Sequence, residues 1–140
     1  MKISARNQIA GKVVELKKGP VNSEVVVSAN GEKIVAVITN DATEALGLKV
    51  SSDVVCIFKA QSVLVAKADA VLAVSARNKI KGTIAEIKEG AVNCEIVITT
   101  SAGVTLTAIV TEDAKKELAL TKGASVYAII KASSILVGVN

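Results

Sequence analysis

The sequence contains itself twice. Ser4-Ala5-Arg6-Asn7 returns unchanged as Ser75-Ala76-Arg77-Asn78, and Gly11, Glu15 and Gly19 meet Gly82, Glu86 and Gly90 at the same spacing. Val21-Asn22 and Glu24 match Val92-Asn93 and Glu95. One residue is inserted in the turn near Gly103; beyond it Thr39, Asp41, Lys59-Ala60 and Ser62 match Thr111, Asp113, Lys131-Ala132 and Ser134. A chain of 140 residues filled by two such copies is expected to fold as two very small units rather than one ordinary domain. The expected bounds are 1–68 and 73–140. The stretch 67–74 is read as an apolar linker without Gly or Pro, partly structured rather than floppy.

A unit of this size buries proportionally little surface. The chain is 51% hydrophobic and 21% charged, which suits a packed core and argues against disorder. Phe58 and Tyr127 are its only aromatics, so each core must be built from Val, Ile, Leu and Ala. Such a core fills less volume per residue, and self-association is expected to make up the deficit.

Each copy reads mainly as β. Segments 12–17 and 83–88 set Val or Ile among polar residues, and 24–28 and 95–99 are β-branched runs. Ala29-Asn30-Gly31 and Ser101-Ala102-Gly103 suit hairpin turns, where positive φ is required. Strands are expected to return over 33–38 and 104–110, then over 54–59 and 126–131, with short last strands at 63–65 and 135–137. One short helix interrupts each copy. Thr39 and Thr111 are good N-caps because a hydroxyl can accept from the unpaired N–H groups of the first turn. Asp41, and Glu112 with Asp113, put negative charge at the positive helix end. Gly47 suggests a stop after Leu46. Strands, one short helix, then strands point to an all-β fold: two tandem Greek-key β-barrels of the OB type.

Most chemistries find no foothold. There is no His, hence no common general base, and no GxSxG or GxxxxGK[ST] motif. Cys56 and Cys94 form no CxxC pair, cannot complete a tetrahedral metal set, and read as small buried hydrophobes. Seventeen basic against 13 acidic residues leave a mild +4 with scattered lysines, compatible with a small anion and weak for nucleic acid. No stretch has the length of a membrane span, and the N-terminus lacks the apolar region of a signal peptide, so the expected compartment is the cytoplasm.

The repeated polar positions are more informative. Ser4, Arg6 and Asn7, the Thr39 cap, and Lys59 with Ser62 recur as Ser75, Arg77 and Asn78, Thr111, and Lys131 with Ser133 and Ser134. Hydroxyls, approachable backbone beside small Ala neighbours and a few cations are what an oxyanion with only acceptor oxygens needs. Taken singly, each of these residues also reads as a strand end or a helix cap, and a copied fold copies its surface.

Taken together, SARN, the glycine spacing, Gly-x-Val-Asn and the terminal Lys-Ala, each present twice, resemble the Mop domain of the molbindin family over essentially the whole chain. The resemblance implies a barrel that exchanges strands with a neighbouring Mop domain, and assembly of two-domain chains as homotrimers. It implies binding and storage of molybdate, or of tungstate with the same shape and charge, and no cofactor. Anion sites would lie where Mop domains meet, with SARN of one domain facing the Lys-Ala segment and Thr cap of another. That carries site roles to Ser4, Ala5, Arg6, Thr39, Lys59 and Ala60, and to Ser75, Ala76, Arg77, Thr111, Lys131 and Ala132. Hydroxyls would come from Ser and Thr, backbone N–H from Ala5 and Ala76, and the neutralising charge from Lys. A second class near the trimer axis would use Val21-Asn22 and Val92-Asn93.

Two departures stand out. Pro20 replaces Ala91 of the second copy and removes one backbone donor. Glu112 stands where the first copy has Asn40, and a carboxylate there would repel an anion unless it points outward. The 140 residues hold neither the DNA-binding domain of related regulators nor the ATPase of related transporter subunits, so neither activity is expected. An OB-type nucleic-acid binder is the rival reading, disfavoured because base stacking needs aromatics. A purely structural partner-binding module is the other, disfavoured because both copies keep Ser, Arg, Thr and Lys. An enzyme is not expected.

Overall fold

The computed structural model describes residues 2–69 and 73–140; the middle of the expected linker lies outside them. Both copies fold alike. In the first, β1 (Asn7–Lys18), β2 (Asn22–Ala29) and β3 (Glu32–Thr39) form a meander, followed by α1 (Asn40–Ala45), β4 (Asp53–Phe58), a 3-10 turn (Ala60–Ser62) and β5 (Leu64–Lys67). The second repeats this as β6 (Asn78–Lys88), β7 (Asn93–Thr100), β8 (Thr105–Thr111), α2 (Glu112–Glu117), β9 (Ser125–Ile130), a 3-10 turn (Ala132–Ser134) and β10 (Leu136–Gly138).

The local choices are those the residues dictate. Asn30 and Gly31 take φ of 53° and 92° in the first hairpin, and Gly103 takes 81° in the second. The Thr39 and Thr111 hydroxyls accept from the N–H groups of Ala42 and Ala114 at 3.1 and 3.0 Å. In β2 the alternate residues Ser23, Val25, Val27 and Ala29 are buried, the period of a strand with one face on a core. β1 and β6 each slip register by one residue, at Val13/Glu15 and Ile84/Glu86; such a bulge bends the strand so that one sheet can serve both sides of a barrel. A Cβ on Gly11 would lie 2.6 Å from the Ser28 carbonyl oxygen, and one on Gly82 2.9 Å from that of Thr99. These glycines let neighbouring strands close in.

The last strands are exchanged. The two sheets run β10-β4-β1-β2-β3 and β5-β9-β6-β7-β8. Leu136 pairs with Ile57, and Leu64 pairs with Ile129. Each half thus supplies the fifth strand of the other. β3 and β10, and likewise β8 and β5, come into contact, bringing the edges of each sheet together as an OB-like barrel. Val25, Val27, Ile34, Ala36, Cys56 and Phe58 fill one interior; Ile84, Ile96, Ile98, Leu106, Ala128 and Ile130 fill the other. Both cysteines are buried and free, as expected, and burial pushes the Cys56 thiol up to about 12.

The exchange the resemblance implied is therefore present, and it is internal to the chain. Lys59 and Lys131, expected as strand ends, instead lead into the 3-10 turns from extended backbone. Among the described residues no helix is long and apolar enough to cross a membrane.

Candidate anion site

Ser4, Ala5 and Arg6 precede β1, and Lys59 and Ala60 follow β4. These strands pair antiparallel, with Asn7 opposite Phe58, so the two segments emerge side by side. They line one crevice with Gln61 and Ser62, and the other half adds Ile109, Ser134 and Leu136. Within the chain SARN meets the Lys-Ala segment of its own half, whereas the resemblance set it against that of another Mop domain. What crosses over is Ile109 of β8, Ser134 of the 3-10 turn and Leu136 of the exchanged β10. Thr111 lies two residues beyond Ile109 on β8, on the same face of that strand. The second copy repeats the arrangement: Asn78 pairs with Ile130, which places Ser75, Ala76 and Arg77 beside Lys131 and Ala132, and β3 with Thr39 packs against the 3-10 turn Ala132–Ser134.

The charges are not equally free. Among the described residues no ion pair involves Lys59 or Lys131. The arginines are engaged across the halves. Arg77 donates through both terminal nitrogens to Glu24, at 2.6 and 2.8 Å, and Arg6 donates to Glu95. Hydrogen bonding from Arg77 holds the Glu24 carboxyl below the usual carboxylate range, against the opposing effect of burial; the charges of Arg77 and Lys17 add to the lowering. Glu24 and Glu95 were visible in the sequence only as one matched pair among many.

The asparagines of SARN, grouped with the anion donors in the sequence, have another task. Asn7 and Asn78 are each only 2% exposed. Asn78 donates to the Val35 carbonyl and accepts from the Val35 N–H, both at 2.8 Å, and Asn7 does the same with Thr107. Each side-chain amide serves as a short strand partner for the outer strand of the opposite half. Their amide groups are consumed there.

The Gly-x-Val-Asn elements sit elsewhere, beside the helix caps. Asn22 pairs with Thr39 and Asn93 with Thr111. Val21 and Val92 are 70% and 72% exposed, with their carbonyls accepting from the N–H groups of Asn40 and Glu112. Here the copies part. In the first, the neutral set Ser23, Asn40 and Thr43 is satisfied: Ser23 donates to Asn40 Oδ1 at 2.6 Å, and Asn40 Nδ2 donates to the Gly19 carbonyl at 2.9 Å. In the second, Glu112 turns inward, not outward, with one oxygen 3.1 Å from Lys115 Nζ and the other buried without a hydrogen bond. Lys115, a buried cation the sequence reading missed, also pairs with Glu89.

Comparison with known proteins places this architecture. A model of the TOBE domain matches residues 3–65 and again 74–137. The chain belongs to the TOBE-domain family. Its two TOBE copies are 36% identical over 141 residues to the molybdenum transport protein ModE of Herbaspirillum seropedicae, matching 100% of this chain and 52% of that protein. Molybdenum-pterin-binding protein 2 of Clostridium pasteurianum is 47% identical over 66 residues, 46% of this chain and 97% of that protein. The chain thus spans about half the length of ModE, whereas the clostridial protein corresponds to a single TOBE copy. Among solved structures, the cytoplasmic molybdate-binding protein ModG, with molybdate bound, superposes with a TM-score of 0.95 at 42% identity, covering 100% of both chains.

Proposed function

We propose that this chain binds molybdate, and tungstate on the same grounds of shape and charge, for storage and homeostasis in the cytoplasm. The observation that carries the reading is the crevice at the junction of the halves: the hydroxyls of Ser4, Ser62 and Ser134, approachable Ala backbone and a lysine without a carboxylate partner among the described residues, within a chain that matches ModG from end to end. Ser4 and Ser62 donate hydroxyls, Ala5 and Ala60 backbone N–H, and Lys59 the neutralising charge; Thr111 adds its hydroxyl from the other half. Ser75, Ala76, Lys131, Ala132 and Thr39 do the same in the second copy. Arg6 and Arg77 border these sites with their charge already shared with a carboxylate. Such a set binds and releases an anion.

Two units, 1–68 and 73–140, interlocked by their last strands, make up the binding chain. Three chains assemble around the exposed Val21 and Val92, giving a second class of site at Val21-Asn22 and Val92-Asn93. Pro20 and Glu112 make the two copies of that class unequal. Calorimetric titration with molybdate, with sulfate as control, tests the reading: tight binding of molybdate alone is expected, and absence of heat refutes it. Lys59→Ala combined with Lys131→Ala should abolish binding in the crevices while light scattering still reports a trimer. A monomer in solution would refute the assembly.

A further inference from the structure

We propose that Glu24 and Glu95 set the charge of the two anion crevices. Each holds the guanidinium of the opposite half, Arg77 or Arg6, in an ion pair and lowers the net positive charge beside the anion by one. This rests on the anion-binding reading above and adds residues to it that touch no anion.

The geometry is reciprocal. Glu95 sits on β7 opposite Ile109 of β8, and cross-strand partners share a face. Ile109 lines the crevice together with Arg6. The Glu95 carboxylate, only 12% exposed, therefore lies beside the crevice lining, on the face that bears Ile109, where it takes the Arg6 guanidinium and lies 3.6 Å from Lys88 Nζ. Glu24 grips Arg77 through two parallel bonds. The fork of a guanidinium matches both oxygens of a carboxylate, so this pair is also geometrically fixed.

The electrostatic consequence follows from Coulomb's law. Glu95 takes one positive charge off the set that Arg6, Lys59 and Lys88 present to a dianion, and Glu24 takes one off the set of Arg77 and Lys131. One charge added or removed within several ångströms of a dianion, in the intermediate dielectric of a protein surface, changes affinity by about tenfold at low salt. A crevice held at the lower charge owes more of its affinity to hydrogen bonds and fit. It also gives up its anion more readily, as a reservoir must.

The test is molybdate titration of the full chain at low and high salt, with Glu95→Gln, Glu24→Gln and the double variant. Gln keeps the shape and a hydrogen bond to Arg while removing the charge. Each single variant should tighten half of the crevice sites by about tenfold, splitting the titration into two phases, with a steeper salt dependence for the tightened phase. The double variant should tighten all of them. Affinity that is unchanged, or that falls, overturns the proposal, since a merely structural clamp would loosen its site when weakened. Arg6→Gln guards against a variant that folds poorly. It leaves Glu95 with Lys88 as its partner, removes one positive charge from beside the anion and should weaken binding, and Arg6→Gln with Glu95→Gln should return it near the wild-type value. Failure of that restoration also overturns the proposal. Wild-type protein that binds no molybdate would instead remove the anion-binding reading itself, and this one with it.

Discussion

Replacing Asn78 with alanine removes three hydrogen bonds at one stroke. Its Nδ2 donates to the carbonyls of Val35 and Ile130 at 2.8 and 3.2 Å, and its Oδ1 accepts from the Val35 N–H at 2.8 Å. A hydrogen bond contributes about 1 kcal/mol net, whereas a buried group left unpaired costs about 1–3 kcal/mol. Val35 is half-buried on an outer strand, so water recovers part of the loss there; Ile130 lies within the barrel, where it does not. The expected destabilisation is about 2–4 kcal/mol, equivalent to a fall in Tm of about 6–15 °C for a chain of this length. Urea unfolding followed by circular dichroism, at fixed protein concentration and without oxyanion, measures it. Asn7→Ala, which removes the two bonds to Thr107, should lose less. If Asn78→Ala loses less than about 0.5 kcal/mol, within the range of an ordinary surface substitution, the amide is not a strand partner and the clamp between the halves is misread.

Other expectations are as direct. Gly11→Ala places a methyl 2.6 Å from the Ser28 carbonyl oxygen and should cost about 1–3 kcal/mol, read as a lower urea midpoint. The depressed Glu24 carboxyl contributes stability that is complete above its ordinary value of 4.5 and is lost as pH falls through the lower value of the folded state. Glu24→Gln should therefore flatten the decline of Tm with acid below that pH, and an unchanged slope would exclude the pair as its source. Cys56, with its thiol pushed up to about 12 and no exposed surface, should not react with a disulfide reagent at pH 8 until the chain unfolds.

The parts of the fold governed by neighbours along the chain were legible in the sequence. The duplication, the Asn30-Gly31 hairpin, the Thr39 and Thr111 caps and the burial of both cysteines each follow from local stereochemistry or composition. Partner choice was not. Leu64–Lys67 and Leu136–Gly138 are short apolar strands whose pattern fits either sheet, so periodicity could not tell which barrel they complete; only the resemblance suggested an exchange. The residue types of the candidate site were legible, and their grouping in space was not. Ser4, Arg6 and Asn7 read as one polar set, whereas the fold splits SARN into a crevice lining at Ser4-Ala5, a charge pair at Arg6 and a buried strand mimic at Asn7. The carboxylates that face the arginines lie on β2 and β7 of the opposite half, 53 and 89 residues away, beyond the reach of any spacing argument.

The crossed fifth strands also govern when the protein can come into being. The first barrel gains its last strand only when Leu136–Gly138 reaches β4, so residues made earliest wait for residues made late. Pairings so distant along the chain are slow to close, and an unfilled sheet edge is exposed meanwhile to any other strand. During synthesis the leading half has a vacancy that a neighbouring nascent chain could fill as well as its own tail, so ribosome spacing and expression rate would decide how often chains knit to one another instead of to themselves.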